Sequence, residues 1–216
     1  MALAVYYVAF EYLVHRTTDN FLLFLFSGIV VYRFFSVTLA RSATSILEGH
    51  GLMQLVYLHK SIFPLSVVMV NLVKFLVTLP IVMMFAWICG MPPTWAYSAL
   101  PALILLELLL TSGAAMICAS ITPFFPDFSL ILNTVLNLLI FLSGVFYDIS
   151  ILPPKMQTLV RYNPMAAIIE QYRVILLHGQ WPDLKPLVPA MWECAAFLAM
   201  GGFLIHKFNR YFPKIC

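Results

Sequence analysis

Five predominantly apolar runs of twenty or more residues decide what this chain can become: 21–40, 64–88, 96–121, 128–147 and 187–206. About 20 residues of helix cross the roughly 30 Å hydrocarbon layer of a bilayer. Within that layer each backbone amide and carbonyl must be satisfied inside the segment, so such runs fold as helices. The rest of the composition agrees: 62% of the 216 residues are hydrophobic and 10% are charged, where a soluble domain carries about 25% charge. The sequence therefore specifies an all-α membrane protein and not a soluble domain with one anchor.

Residues 1–14 form a sixth, shorter apolar run ending in the polar turn HRTTDN. As a helix it rises about 21 Å, less than a full crossing. We read it as the second part of a span, so the sequence predicts one domain over 1–216, a six-span helical bundle whose first span is incomplete. The run lacks the basic start and small-residue cleavage site of a signal peptide. Three connections are short (HRTTDN, GMPPTW and TPFFPDF) and two are long, 41–63 and 148–186. With six spans the two long connections fall on opposite faces. Counting Lys and Arg does not orient them: Arg41, Lys60, Lys207, Arg210 and Lys214 stand against Arg16, Lys155, Arg161, Arg173 and Lys185.

Each long connection has helical patterning. In 41–63, Ser42 or Thr44 is a candidate helix cap, and Ile46, Leu47, Leu52, Leu55 and Val56 alternate with Glu48, His50, Gln54, His59 and Lys60. Gly49 and Gly51 interrupt the pattern, which predicts two short pieces, an elbow suited to docking a soluble partner or to lying passively at the interface. In 148–186, Pro153-Pro154 opens a first helix with Met156, Leu159 and Val160 on one face. Asn163 then caps and Pro164 starts a second. Met165, Ile168, Ile169, Tyr172, Ile175 and Leu176 line its apolar side, Glu170 and Arg173 sit one turn apart as a candidate pair, and Gly179 ends it. This segment reads as a helix pair dipping into the bilayer edge. Such non-spanning backbone must be buried in protein or line a wet cavity, which makes it a gate or a passive seal.

Four ionisable residues interrupt the spans: Arg33, Lys74, Glu107 and Glu193. Lys74 and Glu107 lie at similar depth in spans joined by a short turn, and a structural ion pair is expected of them. Arg33 and Glu193 are expected nearer an interface, where long side chains snorkel. The four cysteines, Cys89, Cys118, Cys194 and Cys216, have neither zinc-like nor CxxC spacing. The five histidines are dispersed, no GxxxxGK[ST] phosphate loop occurs, and the net charge of +3 is scattered rather than gathered into a nucleic-acid-binding block. The chain is thus predicted to be no enzyme and to bind neither ATP nor metal nor nucleic acid itself.

Three stretches in order, GIVVYRFFSVTLARSATSILEGHGLMQLVYLHKSIFPLSVVM (28–69), ITPFFPDFSLILNTVLNLLIFLSGVFYDISILP (121–153) and LVRYNPMAAIIEQYRVILLHG (159–179), resemble the membrane subunit of ABC-2 type polysaccharide exporters. These permeases move O-antigen, capsular polysaccharide or teichoic acid across the bacterial inner membrane. The resemblance implies that 41–63 is a cytoplasmic coupling region in which Ile46, Leu47, Glu48, Leu52, Gln54 and Lys60 meet a separate ATPase carrying ATP-Mg. It also implies that 148–186 is a periplasmic re-entrant helix pair between spans five and six, with Asn163, Pro164, Glu170, Arg173 and Gly179 as its gate. It implies further a homodimer that passes a lipid-linked polysaccharide between protomers. Aromatic rings stack on sugar faces, and Tyr32, Phe34, Phe35, Phe141, Phe146 and Tyr147 are the candidate path residues, with Tyr6, Tyr7 and Phe10. By this resemblance Met1 is expected to fall inside the family's first span, and Pro126-Asp127 stands where members often have Arg-Asp. The alternatives are an ABC-2 permease for a drug or small lipid, a membrane enzyme acting on lipid-linked sugars, and a truncated product without function.

Overall fold

The computed structural model describes residues 21–49, 51 and 58–209. Residues 1–14, Leu52 and Gln54 lie outside them. Seven α-helices follow in order: α1 Phe21–Glu48, α2 Ile62–Ile88, α3 Leu100–Ile121, α4 Phe128–Leu142, α5 Pro154–Arg161, α6 Pro164–Leu176 and α7 Leu184–Phe208. A 3-10 turn, Trp95–Ala99, leads into α3. Among the described residues all regular structure is helical, and four stretches are long and apolar enough to cross a membrane: α1, α2, Trp95–Ile121 and α7.

The fifth expected span is corrected. The sequence predicts a helix over 128–147, but α4 stops at Leu142 after 15 residues, about 22 Å at 1.5 Å per residue. Gly144 takes φ +64°, a left-handed conformation that breaks the helix and favours glycine. Phe146 and Tyr147 therefore lie in the turn beyond the helix and not in a span. A second correction concerns the start of the 41–63 elbow. Residues 41–48 continue α1 without a break. Ser42 and Thr44 do not cap a new helix; the Thr44 hydroxyl donates to Glu48 at 2.7 Å within the same one. The extension is held by Ile46, which packs with Ala119, Phe63, Phe124 and Phe208. Gly49 then ends the helix where a Cβ would meet the Phe63 ring at 2.3 Å.

Helices α1 and α3 form the buried centre, and α2 and α7 flank it with mostly exposed apolar faces. Helix α2 packs on both α1 and α3, α4 on α1, and α7 mainly on α3. The α3–α7 contact depends on missing side chains. A Cβ on Gly113 would sit 2.6 Å from the backbone of Phe197 and Leu198, and one on Gly201 2.7 Å from the Gly113 carbonyl. In lipid, where no hydrophobic force drives helices together, such close backbone approach supplies the dispersion contacts that do. The Ile46 cluster marks one end of the bundle. The contact of Gly179 with Thr94 marks the other, so Ile46 and Phe63 stand at the opposite end from Gly179.

Gly113→Ala should push α3 and α7 apart and lower stability by about 1–3 kcal/mol, the usual penalty of overpacking. Gly202→Ala, where a Cβ meets nothing within 4 Å, should be neutral or slightly stabilising. Thermal unfolding of both variants in detergent checks the contrast.

Candidate functional site

Helix α6 is where the polar chemistry of the bundle converges. Its entry follows the sequence reading. The Asn163 side chain accepts from the Met165 amide at 3.0 Å and Pro164 occupies the first turn. The same side-chain amide donates to the Ser143 hydroxyl at 3.0 Å, tying the start of α6 to the end of α4. Its exit does too: Gly179 has φ +61° and the Gln180 amide donates to the Val174 carbonyl at 3.1 Å, the closure of a glycine-terminated helix. Met165, Ile168, Ile169, Tyr172, Ile175 and Leu176 are all buried, as predicted. Burial goes beyond one face, however, because Ala166, Ala167, Gln171 and Arg173 are buried as well. Helix α6 packs against α1, α3 and α7 and is embedded in the bundle. In α5, Val160 is buried but Met156 is exposed, so the predicted face of that helix is only partly used.

Arg173 is the centre of this arrangement. Its Nη1 donates to the Gly144 carbonyl at 2.8 Å, and its Nη2 to the Val145 carbonyl at 2.7 Å and to the Phe24 carbonyl at 3.3 Å. The guanidinium also lies 3.5 Å from the centre of the Phe24 ring, a cation–π contact strengthened by burial. Burial pulls the guanidinium down from its ordinary range, and the charges of Asp148 and Glu170 push it back up. The Glu170 charge does act on the guanidinium, and the hydrogen bonds of Arg173 go in addition to backbone carbonyls that the sequence did not point to. Gly28 makes room, since a Cβ there would lie 2.5 Å from Arg173 Nη2. Two residues earlier in α6, the Gln171 side chain accepts from the Asp183 amide at 2.7 Å, and Asp183 caps α7.

The expected Lys74–Glu107 ion pair does not form. Glu107 is fully buried and receives the Tyr172 hydroxyl at 2.9 Å. Lys74 stands on the other side of α2, exposed, in a groove shared with Arg33. The reason is angular: Leu72, Phe75 and Leu79 face the core, which turns position 74 outward. Arg33 is near the middle of α1 and exposed.

The predicted path aromatics divide. Tyr32, Phe34, Phe35 and Phe146 are buried within the protomer, while Phe141 is exposed. The Tyr32 hydroxyl donates to the Leu136 carbonyl and joins α1 to α4. Phe34 stacks on Phe75, and the Tyr147 hydroxyl donates to the Phe141 carbonyl at 2.8 Å. In the coupling region Ile46 and Lys60 are buried, Leu47 is half-buried and Glu48 is exposed.

The family model for ABC-2 type transporters matches residues 1–177. The chain belongs to the ABC-2 type transporter family. An O-antigen export system permease of Myxococcus xanthus is 28% identical over 186 residues, 85% of this chain and 72% of the relative. One of Klebsiella pneumoniae is 24% identical over 177 residues, 81% of this chain and 68% of the relative. The inner membrane transport permease YadH of Escherichia coli K12 is 35% identical over 80 residues, 37% of this chain and 30% of its own. This ABC-2 chain is therefore a multi-pass membrane protein of a transport family, and the matched region closes just past the end of α6.

Replacing Arg173 by Lys keeps the charge but not the fork that reaches several carbonyls. Leaving buried carbonyls unsatisfied costs about 1–3 kcal/mol each, so Arg173→Lys should destabilise by about 2 kcal/mol or more in thermal unfolding. Gly28→Ala should show the same defect in milder form, because it displaces the guanidinium without removing it.

Proposed function

We propose that this chain is the membrane permease subunit of an ATP-driven exporter of a lipid-linked bacterial polysaccharide, in the inner membrane. The observation that carries this reading is alignment with O-antigen export permeases over more than four-fifths of the chain. In this reading the end of the bundle bearing Glu48 is cytoplasmic and docks a separate ATPase, which supplies ATP-Mg and its hydrolysis. Support comes from the continuity of α1 into residues 41–48: a rigid helix carries displacement at its docked end into the span it is part of. Leu47 and Glu48 are the docking residues open to a partner, and Ile46 fixes the lever to the bundle through its packing with Ala119. Any such coupling needs the ATPase to bind two permease states with different affinity.

The opposite end carries α5 and α6 as a re-entrant pair on the periplasmic side, with Asn163, Pro164 and Gly179 setting its shape and Arg173 holding it closed. A second copy of the chain covers α4. That helix leaves Leu130, Ile131, Val135 and Leu138 exposed beside Asn133 and Asn137, and amides are poorly placed against lipid unless another helix satisfies them. The cargo then passes beside α4, where Phe141 offers an exposed ring; Tyr32, Phe34, Phe35 and Phe146 serve the protomer's packing. The second reading is an ABC-2 permease for a drug or small lipid, and the 80-residue match to the transport permease YadH is compatible with either cargo.

Deleting the gene should abolish surface glycan, detected by antibody or lectin staining, and the full chain should restore it; intact glycan after deletion points to the smaller cargo. Glu48→Arg should reduce co-purification of the ATPase several-fold, and undiminished recovery refutes docking at this end. A cysteine replacing Tyr162, which is 71% exposed, should react with a membrane-impermeant maleimide added outside the inner membrane. Reaction only after the cytoplasm is opened reverses the assigned topology.

A further inference from the structure

Two cations in the middle of two adjacent spans need a reason. Arg33 is near the midpoint of α1 and Lys74 near the midpoint of α2. Both side chains are exposed and both line one groove of about 150 Å³, with Val30, Phe34, Asn71 and Thr78. A single charge at mid-bilayer costs at least about 2.5 kcal/mol, and two of the same sign side by side add repulsion. No acidic side chain lines this groove among the described residues. The acids nearest along these helices are otherwise engaged: Glu107 is buried against Tyr172, and Glu48 accepts from Thr44.

A third donor waits at the same place independently of charge. Asn71 is 5% exposed, and its side-chain amide nitrogen is buried without a hydrogen-bond partner. It lines both this groove and the adjoining one, where Arg41, Thr44, Glu48 and Ser66 continue the polar surface toward the end of α1. An unsatisfied buried amide costs about 1–3 kcal/mol. Guanidinium, ammonium and amide are all donors, so the missing group is an acceptor, and the two positive charges make it an anion.

We propose that this α1–α2 groove is a binding site for the phosphoryl group of a membrane-borne lipid, held by Arg33, Lys74 and the Asn71 amide. An anion entering sideways at mid-span arrives on a lipid, and a phosphoryl group offers enough acceptor oxygens for all three donors at once. The apolar walls, Val30, Val37 and Phe75, suit the adjoining lipid tail. The site stands on these residues alone. Identifying its occupant with the phosphate-bearing anchor of the exported glycan rests on the polysaccharide-export reading; an ordinary acidic phospholipid is the other source of the same chemistry.

The test uses the full chain in phosphatidylcholine nanodiscs with a fluorescent isoprenoid diphosphate as probe and phosphatidylglycerol as competitor. Arg33→Gln and Lys74→Gln should each weaken probe binding about tenfold, as loss of one charge-assisted contact does, while Lys185→Gln leaves it unchanged. Competition only at large phosphatidylglycerol excess identifies an isoprenoid-diphosphate site, and equal competition a general phospholipid site. In the wild-type chain, which needs no refolded variant, the probe should slow acylation of Lys74 read by mass spectrometry. Unchanged binding in both variants, or Lys74 reactivity indifferent to the probe, overturns the site. So does a zero-length carbodiimide cross-link between Lys74 and a carboxylate of the protein itself, which would identify the anion as internal. Surface glycan in the deletion strain is scored separately, so the transport reading and the site can fail independently.

Discussion

The seat of Arg173 is the interaction on which the rest of the bundle depends. One guanidinium takes carbonyls from α1 and from the turn after α4 while its own backbone belongs to α6. Those carbonyls are not incidental. Where α4 breaks at Gly144, the backbone is left with acceptors that no helix amide reaches, and within a bilayer water is not there to reach them either. A planar, permanently charged five-donor group is the side chain best suited to that task. It keeps a non-spanning helix embedded among the spans, and it needs a glycine, Gly28, to do so.

A related economy governs the other polar groups. The Tyr172 hydroxyl donates to one oxygen of the buried Glu107, Gln171 secures the start of α7, and Tyr32 joins α1 to α4 through the Leu136 carbonyl. The Glu107–Tyr172 and Tyr32–Leu136 bonds join elements far apart in sequence, so they help fix which helices are neighbours, a choice that uniform apolar packing leaves open. The α3–α7 seam does the same through small residues, with Gly113 and Gly201 bringing backbones into contact. The groove lined by Arg33 and Lys74 differs from these bonds in that both cations are exposed there, beside the buried Asn71 amide.

Much of the local structure was legible in the sequence. The apolar runs set α1, α2, α3 and α7 to within a few residues, apart from the extension of α1 to Glu48. Asn163-Pro164 and Gly179 marked both ends of α6, and its apolar positions were identified correctly. These features depend on hydrogen bonds and periodicities spanning a few residues. The failures were of another kind. Lys74 and Glu107 had matching depth but not matching azimuth, because depth follows from counting residues while azimuth depends on which face of α2 the neighbours cover. The carbonyl partners of Arg173 escaped notice because they lie up to 149 residues away. The aromatics looked like a path because sequence cannot tell a ring packed inside from one lining a surface.

The sequence by itself determined that this chain is a helical membrane protein, roughly where its long helices run, and how α6 begins and ends. Length, apolar periodicity and capping chemistry are local and suffice for that. Only the tertiary structure decided that α4 stops at Leu142, that α6 lies inside the bundle, and that Arg173 closes onto backbone carbonyls. It also decided that Arg33 and Lys74 share an outward groove. Each of these is set by what approaches from elsewhere in the chain: a donor for an open carbonyl, a glycine that admits a guanidinium, a neighbour that covers one face of a helix and leaves the other bare.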